Sequence, residues 1–284
     1  MKRIGLMISV SLLVLTASLP SFQIAHAVEA KQKGSDTVSE AKWYAENATL
    51  SEGLKGYTDN SLSIQSQDIL KPNIERSEDV VITDENGKVI GKLTSPKSII
   101  TPSLSTLATG RVATVGIKVD EEYRNKYWDW ITRVRDIVEV ADDAFNRDFN
   151  IDLSVKNIGY WMSSGNNDAE LINELKGYGT NEYDFVIGFT SDSKMDTQGV
   201  AFQYNSPPPG EAFSLILDQN AARTANAVQH ELSHNYGLGH DSIDPNSSYP
   251  ICIMNYGTVY STTQWHTEHK NLLSGRTHWY GVGP

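Results

Sequence analysis

His230-Glu231-Leu232-Ser233-His234-Asn235-Tyr236-Gly237-Leu238-Gly239-His240-Asp241 reads as the end of a helix, a glycine turn and a returning chain that together carry three histidines. The run from Ala221 to Tyr236 is rich in alanine, places Val228 and Leu232 inward, and stops at Gly237, a usual helix terminator. His230 and His234 stand one turn apart on one face, so both imidazoles can reach one metal ion at about 2.0–2.1 Å. Glu231, beside the first of them, points toward the open side of that ion. Gly237 can take the positive φ that turns the chain back, so that His240 becomes a third ligand. Three neutral imidazoles leave a fourth position for water, which is the arrangement of a catalytic zinc and not of a closed structural one.

Upstream, Val115, Ile117 and Val119 alternate as a strand. A long helical pattern follows, with Tyr127, Ile131, Val134, Val138, Ala141 and Phe145 forming one apolar stripe. Ile151, Leu153 and Val155 alternate again, a short helix fits Asp168 to Leu175, and Phe185-Val186-Ile187-Gly188-Phe189 reads as a buried strand. Strands alternating with helices predict parallel pairing with helical crossovers. Gly199 to Tyr204 and Phe213 to Asp218 are two more strands, joined through the rigid loop Ser206-Pro207-Pro208-Pro209-Gly210. The fold class is α/β (α+β).

The segment HELSHNYGLGH matches the HExxHxxGxxH signature at every fixed position and so resembles the metzincin metallopeptidases. Downstream, Cys252-Ile253-Met254-Asn255-Tyr256 resembles the Met-turn of that family, in which Met254 would floor the zinc site. Asp241 and the Cys-Ile-Met of the turn resemble adamalysins, whereas Tyr256, two residues after Met254, resembles astacins and serralysins. In those relatives the tyrosine approaches the zinc and helps stabilise the tetrahedral intermediate; for Tyr256 a core role stands beside the catalytic one. The resemblance covers about residues 110–284. It implies a mixed, mostly parallel five-stranded sheet with an antiparallel edge strand, a long active-site helix, and a C-terminal subdomain with the Met-turn and a helix. Gly199, Val200 and Ala201 fall on the antiparallel strand, which in the family pairs with an extended substrate; an ordinary edge strand is the alternative. The implied reaction is peptide-bond hydrolysis, with one zinc ion on His230, His234 and His240, Glu231 as general base, and proteins or peptides as substrates. The competing function is a secreted zinc-bearing binding or adhesion protein without proteolytic activity.

Residues 28–107 are polar. One hairpin signal interrupts them, Val80-Val81-Ile82 and Lys88-Val89-Ile90 around a turn containing Asn86-Gly87, and it is expected to lean on the following domain. Pro96 and Pro102 mark a linker. Residues 1–27 have the basic start, short apolar run and Ala25-His26-Ala27 end of a secretory signal. The expected organisation is therefore signal peptide 1–27, propeptide 28–107 and peptidase domain 108–284, secreted to the extracellular space as a zymogen, with a retained accessory domain as the other reading of 28–107. The absence of cysteine from 28–107 excludes a thiolate switch on the zinc.

A net charge of −11 argues against nucleic acid as a partner, and no membrane association is expected after signal removal. A monomer is the default. Calcium has no ligand-dense loop to support it. Cys252, the chain's only cysteine, has no disulfide partner and is expected as a buried free thiol. His266 and His269 offer two more imidazoles but are expected on the exposed face of a C-terminal helix.

Overall fold

The computed structural model describes residues 37–55, 79–94 and 110–283. The signal segment and the Pro96–Pro102 linker lie outside the described residues. In chain order the elements are α1 (Thr37–Asn47), β1 (Ala48–Leu50), β2 (Asp79–Thr83), β3 (Val89–Thr94), β4 (Arg111–Val119), α2 (Glu121–Lys126), α3 (Trp130–Phe149), β5 (Ile151–Tyr160), α4 (Asp168–Lys176), β6 (Phe185–Thr190), β7 (Gly199–Tyr204), β8 (Ala212–Leu217), α5 (Ala221–Asn235) and α6 (Thr267–Arg276). Among the described residues no helix is long and apolar enough to cross a membrane.

The five strands expected between residues 111 and 217 are present in the order β7-β8-β6-β4-β5, with β4, β5, β6 and β8 parallel and β7 antiparallel to β8. β6 and β8, in the middle of this set, read as nearly continuous apolar runs, whereas β4 and β5 alternate apolar with polar residues. The residues before 108 extend this sheet at both ends. The β2–β3 hairpin pairs through β2 with β5, in parallel, and buries Val80 and Ile82 in the main core, so it leans on the larger domain as its short length requires. Gly87 takes φ +77° in its turn. At the other end β1 pairs antiparallel with β7. β7 is thus the edge of the five-stranded set but not of the whole sheet.

The helical stripe beginning at Tyr127 is interrupted. Asp120 caps a first short helix by accepting from the Tyr123 N–H at 2.8 Å, and Tyr127 is extended at its end. The long helix starts only at Trp130, and Val134, Val138, Ala141 and Phe145 form its buried face as expected. A capping aspartate ahead of the stripe and an extended residue within it outweigh the periodic signal there.

Candidate active site

α5 begins at Asn220, whose side chain accepts from the Arg223 N–H, and ends where Gly237 takes φ +80°. A side chain at Gly237 would place its Cβ 2.4 Å from the Tyr204 carbonyl oxygen and 2.3 Å from the Arg276 guanidinium, so only glycine fits this turn. The Gly237 and Leu238 N–H groups donate to the carbonyls of His234 and Ser233, and the chain then carries His240 back over the helix.

The Nε2 atoms of His230, His234 and His240 converge, 2.9, 3.1 and 3.2 Å apart. A tetrahedral ion about 2.05 Å from each nitrogen sets them about 3.3 Å apart. His230 Nδ1 lies 2.7 Å from the Ile253 carbonyl and His234 Nδ1 lies 2.7 Å from the Leu238 carbonyl. Each Nδ1 therefore carries a proton that it donates, and each Nε2 presents a lone pair to the same point. Burial, with the neighbouring imidazoles adding to it, lowers the pKa of His230 to about 3 and holds His234 well below its ordinary value; burial takes His240 down to about 4. Lone pairs facing one another at this distance fit a cation between them, and the residues present suit zinc.

Glu231 is fully buried, and among the described residues neither of its carboxylate oxygens has a hydrogen-bond partner. Burial pushes its pKa well above the ordinary carboxylate value. An unpartnered buried carboxylate is costly to the fold and is the condition of a group kept ready for proton transfer. Room for it is made by Gly199: a Cβ there would lie 2.5 Å from Glu231 Oε1. Gly199→Ala should therefore displace the carboxylate and lower kcat by about 100-fold, as an error near 1 Å in a catalytic group does. A kcat within twofold of the parent enzyme would show that Glu231 does not depend on this space.

The Met-turn packs against the motif. Met254 is fully buried and its carbonyl accepts from the Asp241 N–H, while the Tyr256 N–H donates to the Ser242 carbonyl. Ile253, the residue before Met254, supplies the carbonyl that orients His230. The Tyr256 ring lies 4.7 Å from that of His240, beside the three histidines. Its hydroxyl donates to the carbonyls of Glu52 and Gly53, at 3.0 and 2.7 Å.

Those carbonyls belong to a segment that sequence reasoning did not single out. Residues 48–54 run antiparallel along β7 and cover its edge. The Ser51 N–H donates to the Ala201 carbonyl at 2.8 Å, the Leu54 N–H to the Gly199 carbonyl at 2.8 Å, and the Gln198 N–H to the Leu54 carbonyl at 2.7 Å. The Ala201 N–H donates to Ser51 Oγ at 3.0 Å. Gly199 and Ala201 pair with the protein's own residues 51–54, and Val200 lies between them, buried in the sheet. Nothing in the composition of residues 48–54 distinguishes them from the polar run around them.

Asn235, Ser233 and Trp265 also hold the site and were missed. Asn235, an unspecified position of the motif, donates to the carbonyls of Phe202 and Phe213 and accepts from Ser214 Oγ, tying the end of α5 to β7 and β8. Trp265 Nε1 donates to Ser233 Oγ, which in turn donates to the Gln229 carbonyl. His266 and His269 do not lie on an exposed helix face as expected. Their side chains are 19% and 13% exposed, and both face Cys252, which is itself fully buried and free of disulfide. The i, i+3 spacing of two histidines was the available signal, but their partners come from elsewhere in the chain.

Among solved structures, the chain is similar to one from a chaperone–substrate complex, at 12% identity and a TM-score of 0.44 over 72% of this chain and 41% of that one. It is also similar to metalloproteinase-II from Bacteroides fragilis, at 14% identity and a TM-score of 0.40 over 61% of this chain and 54% of that one. It therefore spans about half the length of these solved chains or less. The model of metallo-peptidase family M12 matches residues 108–268, a stretch that contains the three converging histidines, Glu231 and the Met-turn. Since that match covers more than half of its residues, the chain belongs to metallo-peptidase family M12, with a metzincin-type metallopeptidase domain.

Proposed function

We propose that the protein is a secreted zinc endopeptidase made in a latent form, whose residues 28–107 act as a propeptide. The observation that carries this reading is the strand at residues 48–54: it lies along β7 next to the three imidazoles and Glu231, with two of its carbonyls on the Tyr256 hydroxyl. An extended chain that passes through the cleft instead of ending there suits an enzyme that cuts within chains.

A zinc ion on His230, His234 and His240 supplies, when bound, a Lewis acid for the scissile carbonyl and a water whose pKa falls toward about 7. The protein's own groups do the rest. The carbonyls of Ile253 and Leu238 keep two of the imidazoles in the ligating tautomer. The edge of β7 aligns an extended substrate through Gly199 and Ala201 by strand addition, which reads main chain and not side chain. Glu231 accepts a proton from the attacking water and returns it to the departing amine. Tyr256 donates to the carbonyl oxygen of the chain in the cleft, the role its hydroxyl already plays toward Glu52 and Gly53.

Hydrolysis of casein or a quenched peptide by the processed protein tests the reading. Cleavage should vanish with a zinc chelator and return with added zinc. A processed protein that holds zinc and cuts neither substrate would favour a binding protein on the same fold.

A further inference from the structure

Asp241, Cys252, His266 and His269 come from three separate pieces of chain: the residue after His240, the Met-turn, and the start of α6. One donor atom from each lies within 4.8 Å of all the others. Cys252 Sγ is 3.4 Å from His266 Nδ1 and 3.5 Å from His269 Nδ1. Asp241 Oδ2 is 3.3 and 3.4 Å from the same two nitrogens. A tetrahedral zinc with nitrogen and oxygen at about 2.05 Å and sulfur at about 2.3 Å has N–O edges of about 3.3 Å and N–S edges of about 3.5 Å. Four of the six edges of such a tetrahedron are therefore already present. A direct charge-assisted hydrogen bond between histidine and carboxylate is shorter, about 2.7–2.9 Å.

Two independent observations agree. Asp241 Oδ2 is buried, on a side chain 10% exposed, and the two imidazoles that face it stand off at 3.3 and 3.4 Å, farther than a direct charge-assisted hydrogen bond. The N–H groups of Met254 and His266 both point at Cys252 Sγ from 3.5 Å, where they would support the sulfur as a metal ligand.

We propose that Asp241, Cys252, His266 and His269 bind a second zinc ion, in a closed structural site with no position left for water. One carboxylate, one thiolate and two imidazoles make a donor set suited to zinc and poorly suited to calcium or magnesium. Burial holds the metal-free thiol up to about 12, and an ion entering the site displaces that proton to solvent, as coordination does to any thiol ligand. The consequence for the active site is mechanical. Asp241 adjoins His240 and Cys252 lies two residues before Met254, so one ion ties the third histidine of the catalytic cluster, the Met-turn and α6 together. A domain whose only cysteine cannot form a disulfide would gain from the metal the cross-link it lacks.

The test uses the full chain, stripped of metal and reloaded with cobalt(II) in thiol-free buffer. The three-histidine cluster contains no sulfur, so a near-ultraviolet thiolate-to-cobalt charge-transfer band can arise only at Cys252, the single cysteine of the chain. The expected result is two cobalt ions per chain together with that band. Cys252→Ser should abolish the band and reduce the count to one, and His269→Ala should weaken binding of the second ion without removing the first. If the band is absent from the wild-type protein, the proposal fails, whether one or two ions bind. Should the serine variant not fold, the wild-type spectrum still decides.

Discussion

Glu231→Gln is expected to reduce kcat/KM of the processed enzyme by a factor of about 100 to 10,000, the range a positioned general base contributes, and to leave the zinc content unchanged. The reason is local. Glutamine has nearly the same shape but does not take a proton from water at neutral pH, while His230, His234 and His240, with their supporting carbonyls, are untouched. The folded protein should not suffer: the carboxylate it replaces is buried and unpartnered among the described residues, and removing an unpaired charge from such a place is neutral or stabilising. Metal analysis and a thermal melt beside the kinetics separate the two effects. Hydrolysis by the glutamine variant at close to the parent rate would remove Glu231 from the chemistry. A variant that loses its metal as well would mean that Glu231 supports the site and not only the reaction.

Release of the strand at residues 48–54 is expected to produce the second large change. As part of the same chain it meets the cleft at an effective concentration on the order of millimolar, so even a micromolar intrinsic affinity suppresses activity about 1000-fold. Ser51→Pro removes the N–H that donates to the Ala201 carbonyl. Leu54→Asp places a charge at a fully buried position beside Gly199. Both should raise the activity of the full chain toward a short quenched peptide, and a synthetic peptide of residues 46–56 should inhibit the processed enzyme by competition. Equal activity of the full and processed forms would show that the strand does not hold the enzyme latent. The β2–β3 hairpin predicts a complication that can be measured in the same preparation. It pairs with β5 and buries Val80 and Ile82, so it should stay bound after a cut in the linker and leave only on unfolding or further proteolysis.

Much of this fold was legible in one dimension because its signals are local. Val115, Ile117 and Val119 alternate because a strand exposes successive side chains to opposite faces, and a helix stops at Gly237 because that position needs a positive φ. The break at Tyr127 was not legible, since a periodic apolar stripe does not reveal that Asp120 has started a separate short helix ahead of it. The histidine and glutamate positions were legible because His230, Glu231 and His234 ride on consecutive turns of one helix and His240 follows a single glycine turn.

Other features depend on residues far apart in the chain, and no local pattern encodes them. The pairing of residues 48–54 with β7 joins positions about 150 apart, as in the bond from the Ser51 N–H to the Ala201 carbonyl, through main-chain groups that every residue carries. Tyr256 has a catalytic or a core reading in sequence; its placement beside His240, with its hydroxyl on Glu52 and Gly53, comes from the fold. The same is true of Asp241, Cys252, His266 and His269, whose spacings along the chain match no single ligand pattern. By itself the sequence determined the α5 cluster, the chemistry of its side chains and the strand–helix alternation that carries it, because short-range geometry is set by backbone dihedrals and helical periodicity. Only the tertiary structure decided what occupies the cleft and where the free cysteine points, because those contacts are made by chain segments that meet after the sheet has closed around them.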